Sequence, residues 1–145
     1  MALRTFLATV VCASAIAACS ATQAAEPLGA SCDQFGRTPS VEQSPRFSGR
    51  ITSGTDVKIE LCSNPTTGFG WEDPQVGDPG VIRLVDRAYQ APGPTILPVV
   101  GAAGGEVVTL HAVAAGTTTV SLRYSQPWSG GTKGVWTYGL SVTVE

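Results

Sequence analysis

The chain has 145 residues, of which only 14% are charged, and 9 Lys+Arg against 11 Asp+Glu give a net charge of −2. That length suits a single domain, and the balance excludes a basic surface able to neutralise phosphates, so no nucleic-acid partner is expected. A hydrophobic share of 43% excludes an acidic disordered tail, and a single His, His111, leaves little room for a multi-His metal site or His-based catalysis, so no metal or other cofactor is expected.

In chain order, Arg4 precedes an uncharged, mostly apolar stretch over residues 5–18. A short positive region, an apolar run and then small residues form a secretory signal, here residues 1–18. The apolar run is too short to span a bilayer comfortably. It ends in Ile16-Ala17-Ala18-Cys19, a pattern similar to a bacterial lipobox, in which Cys19 becomes the lipidated first residue. The competing reading is simple cleavage within Ala21-Thr22-Gln23-Ala24-Ala25. Both readings export the protein, to the bacterial cell envelope on a lipid anchor or to the periplasm or medium, and only the anchor would touch a membrane. Cys12 lies in the signal and Cys19 is the candidate anchor, which leaves Cys32 and Cys62. Exported compartments are oxidising, so a Cys32–Cys62 disulfide is expected. The absence of a CxxC spacing argues against a redox or metal pair.

Residues 19–45 read as a polar linker and N-terminal arm, and 46–145 as the domain. Within it, Val57, Ile59 and Leu61 alternate with polar neighbours as a half-buried strand. Further strand runs cover 81–89, 106–113, 117–124 and 135–144, and one short strand is expected before Thr55. Val108, Leu110 and Ala112 should face the core, as should Val120, Leu122 and Tyr124, and then Tyr138, Leu140, Val142 and Val144. Turn signals such as Ser53-Gly54, Pro79-Gly80, Gly104-Gly105 and Ala115-Gly116 separate the runs. Short strands at this spacing predict an all-β, immunoglobulin-like β-sandwich.

Three loops stand out. Asn64-Pro65-Thr66-Thr67-Gly68-Phe69-Gly70-Trp71 contains the only Asn of the chain. Pro65 fixes φ, Gly68 and Gly70 permit left-handed angles, and Asn64 is able to bond its own turn backbone. The loop should be stiff, with Thr66-Thr67 at its tip and Trp71 packed inward. The second loop, 92–105, ends in Gly101-Ala102-Ala103-Gly104-Gly105; it is either a ribbon lying close to another surface or a mobile connector. The third, Ser125-Gln126-Pro127-Trp128-Ser129-Gly130-Gly131, carries a Trp that either folds back or serves as a binding anchor. Loops leaving alternate strands of a sandwich gather at one end, and all three are expected there.

With these motifs in this order, the region 51–145 resembles the chagasin family of cysteine-peptidase inhibitors. The carriers are the Asn64–Phe69 loop with Trp71, the Gly101–Gly105 loop, and Pro127-Trp128. Two places depart from the family pattern: Gln126 stands where the family has Arg, and the second Gly of the GxG loop is either replaced by Ala103 or displaced to Gly104-Gly105. The resemblance implies a monomeric, reversible inhibitor of papain-like cysteine peptidases. The first loop would enter the active-site cleft, with Thr66 and Thr67 hydroxyls near the catalytic centre, and the other two would grip its flanks. Asn64, Pro65, Thr66, Thr67, Gly68 and Phe69, then Gly101, Ala102, Ala103, Gly104 and Gly105, then Gln126, Pro127 and Trp128 would contact the peptidase. One rival reading is a non-inhibitory extracytoplasmic adhesion or envelope module. Another is an enzyme, against which His111 reads as a solvent-facing strand residue with no carboxylate pattern around it.

Overall fold

The computed structural model describes residues 28–35, 43–93 and 99–145. The expected signal over 1–18, the candidate anchor Cys19, the rest of 19–27, residues 36–42 of the arm and 94–98 of the second loop lie outside the described residues. Among the described residues no helix is long and apolar enough to cross a membrane.

The strands are β1 (Arg46–Ile51), β2 (Asp56–Ser63), β3 (Gly70–Trp71), β4 (Gln75–Val76), β5 (Ile82–Gln90), β6 (Gly104–Ala112), β7 (Gly116–Ser125) and β8 (Trp136–Val144). One sheet runs β1-β8-β7-β3, with β4 also paired to β7; the other runs β2-β6-β5. β1 lies parallel to β8, and the other pairs are antiparallel. This is the expected all-β, immunoglobulin-like sandwich. Alternation explains it: Val120, Leu122 and Tyr124 of β7 are buried while Thr119, Ser121 and Arg123 face solvent. Trp136, Tyr138, Leu140 and Val142 of β8 point inward in the same way and share a core with Ile59, Leu61, Val108 and Leu110 of the other sheet, while Val144 packs with Val81 and Ala112. Two inner faces of this kind interdigitate as a core.

Four features differ from the sequence reading. The 81–89 run is not a regular strand: β5 shifts register between Leu84 and Asp86, which leaves Val85 unpaired and exposed, while Leu84, opposite the buried Leu110, is exposed at the sheet edge. β5 is a sheet edge, where a bulge discourages pairing with another chain. Gly104-Gly105 is not a turn but the start of β6, opposite Ser63 and Cys62. His111 does have a carboxylate partner: cross-strand pairing sets it opposite Asp56, with Nδ1 2.6 Å from Asp56 Oδ1. Lastly, the arm is not only linker. Ala30 donates to Glu60 O at 2.9 Å and accepts from Cys62 N at 3.0 Å, adding a rung beside β2. A one-turn helix, α1 (Cys32–Phe35), follows and buries Phe35 completely. Polar Ser31, Asp33 and Gln34 hide this pattern in the sequence, yet Leu28, Ala30 and Phe35 are the residues that pack on the core.

Two cross-links brace the fold, one between the arm and β2 and one between the sheets. Cys32 and Cys62 form the expected disulfide, with Cα atoms 4.7 Å apart. Arg87 of β5 donates to Glu106 Oε1 (2.8 Å), Asp73 Oδ1 (2.7 Å) and Trp71 O (2.7 Å). It therefore ties the β5–β6 pair to the short β3–β4 edge of the opposite sheet.

The disulfide spans a sequence separation of 30. In the chain-entropy model, closing such a loop stabilises the fold by about 3–4 kcal/mol. Denaturant unfolding with and without reductant should show a loss of this size; an unchanged midpoint would mean the bond does not constrain the unfolded chain.

Candidate functional site

The chain leaves β2 at Ser63 and crosses to the opposite sheet through residues 64–69. Pro65–Thr67 forms a single 3₁₀ turn, with Thr67 N donating to Asn64 O (3.1 Å) and Gly68 N to Pro65 O (3.0 Å). Gly68 ends the turn at φ +80°, a left-handed angle that β-branched residues adopt only with strain. Gly70 does not use such an angle; it begins β3.

Asn64 organises this loop. Its backbone N–H donates to the buried Tyr124 hydroxyl at 2.7 Å. Burial pushes the Tyr124 phenol above its ordinary range, so it stays neutral and available as an acceptor. The Asn64 side chain is buried and does not bond its own turn backbone. Its Nδ2 donates to Gly101 O of the second loop (2.9 Å), and its Oδ1 accepts from Thr66 Oγ1 (2.6 Å). Thr67 Oγ1 donates to Asn64 O at 2.6 Å. Both Thr hydroxyl protons are therefore committed within the loop, and what the tip offers a partner is hydroxyl lone pairs and methyl groups. Phe69 is half-buried and stacked on Tyr124, with ring centroids 5.8 Å apart. It anchors the loop rather than presenting a free side chain. Trp71 packs in the core as expected, its Nε1 donating to Cys62 O at 2.9 Å.

In the second loop Gly101 has φ +78°, and a Cβ there would lie 3.7 Å from Thr66 Oγ1. Ala102 and Ala103 are half-buried beside it, whereas Val100 is 99% exposed. Gly104 and Gly105 do not belong to the exposed ribbon. A Cβ at Gly104 would sit 2.2 Å from Gln90 O, and one at Gly105 would sit 2.8 Å from Glu60 Oε1. Neighbouring β5 and β2 leave no room for a side chain at either position.

The third loop turns tightly: Gly131 N donates to Trp128 O at 3.2 Å, with Gly130 at φ +77°. Gln126 closes its base: its N–H donates to Thr132 O (2.8 Å) and its Oε1 accepts from Thr132 N (2.9 Å). Lys133 Nζ donates to the carbonyls of Gln126 and Trp128. Trp128 is both folded back and exposed. Half of it faces solvent, while its ring edge covers Gly68, where a Cβ would approach Cη2 to 2.9 Å. Pro127 is exposed beside it.

The three loops thus share one end, joined by the Asn64–Gly101 hydrogen bond and the Gly68–Trp128 contact. A groove of about 800 Å³ runs between the first and third loops, floored by Phe69 and Trp71 and flanked by Trp128, Glu72, Arg123 and Lys133. Residues 64–69, 99–103 and 126–132 contain no charge. The sequence reading missed Val99 and Val100, 67% and 99% exposed. Their signal was a β-branched apolar pair outside any strand alternation, next to Gly101. The His111–Asp56 pair lies at the other end of β2 and β6, since Asp56 begins β2 and Ser63 ends it.

Replacing Asn64 tests this geometry. Asn64→Ala removes two buried side-chain hydrogen bonds and should cost about 1–3 kcal/mol. Asn64→Asp keeps the acceptor for Thr66 but sets a carboxylate against Gly101 O, so at pH 7 it should be more damaging than Asn64→Ala. Denaturant unfolding at pH 7 and pH 4 checks both: the gap should narrow as the carboxyl protonates, and equal stabilities at pH 7 would contradict the assigned donor.

Comparison with known proteins gives a consistent result. The family described as chagasin family peptidase inhibitor I42 matches residues 50–142. Chagasin of Trypanosoma cruzi is 39% identical over 87 residues, covering 55% of this chain and 73% of the relative. Amoebiasin-2 of Entamoeba histolytica is 31% identical over 88 residues, covering 61% and 69%. Among solved structures, the cysteine protease inhibitor EhICP2 from Entamoeba histolytica superposes with a TM-score of 0.59 at 27% identity, over 69% of this chain and 87% of that one. A match that spans the strands from the end of β1 to β8, and the three loops between them, means that the chain belongs to the chagasin family of peptidase inhibitors.

Proposed function

We propose that the protein is a reversible inhibitor of papain-like cysteine peptidases, with the 64–69 loop entering the active-site cleft and the loops at 99–103 and 126–132 on its flanks. The observation that carries this reading is the locked geometry of Asn64. A loop already held in one shape loses little conformational freedom on docking. Its 3₁₀ turn should also resist cleavage, because a coiled backbone does not present the extended peptide that a protease strand-binding cleft takes. Contacting groups are the Thr66-Thr67 tip, Pro65, Gly68, Val100, Gly101, Pro127 and Trp128. Gln126 acts indirectly by closing the third loop, a task its amide performs where the family has Arg. Phe69 supports the loop from below, and Ala102 and Ala103 shape the ribbon beside Gly101. With uncharged tips, affinity should rest on shape and apolar burial, with a weak salt dependence.

Titration of papain with the purified protein tests this. Inhibition should be competitive and reversible, with the inhibitor recovered uncut. Trp128→Ala should cost roughly 1–3 kcal/mol of affinity, as truncation of an exposed anchor does. Gly68→Val should cost at least as much, because it combines strain at positive φ with a collision against Trp128. Folded variants that inhibit as well as the parent would reject the three-loop mechanism.

We further propose that the protein works outside the cytoplasm as a monomer, lipid-anchored through Cys19. The support is the segment 5–18 and the tetrad Ile16-Ala17-Ala18-Cys19. Cys19→Ser should release the protein from the membrane fraction or block its maturation. An intact mass showing a lipid-free N-terminus beyond Cys19 would reject the anchor.

A further inference from the structure

We propose that Phe35, carried on the disulfide-linked segment 28–35, is a positioning residue for the 64–69 loop; this rests on the inhibitory reading above. Phe35 lies outside the part of the chain matched to the family, 50–142. It is 1% exposed and closes one end of a continuous aromatic stack. Its ring stacks on Trp136 (centroids 5.1 Å apart), Trp136 stacks on Tyr124 (4.7 Å), and Tyr124 stacks on Phe69 (5.8 Å). Phe35 also meets Trp71 edge-on at 5.3 Å. Both ends of the loop therefore rest on rings that Phe35 supports. Tyr124 holds the start of the loop through the Asn64 N–H, and Trp71 holds the end through its bond to Cys62 O.

The segment is held in this place by its own contacts to β2 and β8. The Ala30 rung sets its register against β2, Tyr138 OH donates to Leu28 O, and the disulfide fixes the start of α1 three residues before Phe35. Interiors are close-packed, so removing one ring leaves a void that neighbouring rings relax into. Here the neighbours that relax are Trp136 and Trp71, and through them Tyr124 and the loop. A loop that spends less time in its docking shape binds more weakly by the fraction of that shape lost.

The test is Phe35→Leu, which keeps an apolar side chain but removes the ring, compared with the parent and with the parent reduced at Cys32–Cys62. Two quantities are read at a temperature where all forms are folded: the papain inhibition constant and the hydrogen-exchange rate of the Asn64 amide. If the competent population falls to about a tenth, the inhibition constant rises about tenfold and the Asn64 amide exchanges correspondingly faster. The reduced parent should shift both in the same direction. A lower melting temperature with both quantities within about twofold of the parent would mean that Phe35 only stabilises the fold. Should Phe35→Leu not fold, the reduced parent decides by the same two quantities. Should the parent not inhibit papain, the inhibitory reading fails, and the Asn64 exchange rate alone still confirms or overturns the positioning role.

Discussion

The binding end depends on a single buried asparagine. Asn64 has a donor, an acceptor, an N–H and a carbonyl, and each is engaged by a different part of the molecule: Gly101, Thr66, Tyr124 and Thr67. A buried amide left without partners costs free energy comparable to the bonds it would have made. The loop therefore has one arrangement that satisfies Asn64, and that arrangement also fixes the second loop beside it. The third loop joins through packing, since Trp128 covers the one position of the first loop that has no side chain, Gly68.

The sandwich supplies the floor for this arrangement. β2 delivers Asn64, β7 delivers Tyr124, and β3 begins as soon as the loop has crossed to the opposite sheet. The crossing edge is short, and Arg87 secures it from the facing sheet through Trp71 O and Asp73, with Glu106 completing the guanidinium's partners. The Arg87 side chain is 21% exposed and that of Glu106 12%, so this pair is screened less than a surface pair would be, whereas Asp73 is a solvent-exposed partner. Charge is thus used to hold the scaffold, while the loop tips stay uncharged. That division suits a surface meant to fit a cleft by shape: a rigid neutral wedge carries no desolvation penalty for ionised groups when it docks.

Much of this was legible in the sequence. The alternation of Val120, Leu122 and Tyr124, and of Tyr138 through Val144, places the inner faces because strand side chains have a period of two. The loop motifs were visible because Pro65, Gly68 and Trp128 break that period. What was not legible depends on contacts distant in sequence. Nothing local in Asn64 indicates that its amide reaches Gly101. Gly104-Gly105 looks like a turn, and only the crowding by Gln90 and Glu60 makes it a strand start. The bulge that leaves Val85 unpaired in β5 has no local signal in the apolar run 81–89. The arm looked like linker because its apolar residues are few and separated by polar ones. Phe35 gains its meaning only when Trp71 and Trp136 come together around it.

The central claim is that the loops are set in their docking shape before any partner arrives. The most direct measurement is a pair of crystal structures, the free protein and its complex with papain inactivated at the catalytic cysteine. Pre-formed interfaces move by less than about 1 Å in backbone on binding. The account expects residues 64–69 and 126–132 to stay within that range, with the Asn64–Gly101 bond and the Trp128–Gly68 contact intact in both. A complex in which the 64–69 loop has refolded, or in which Asn64 has let go of Gly101 to bond the peptidase, would contradict it.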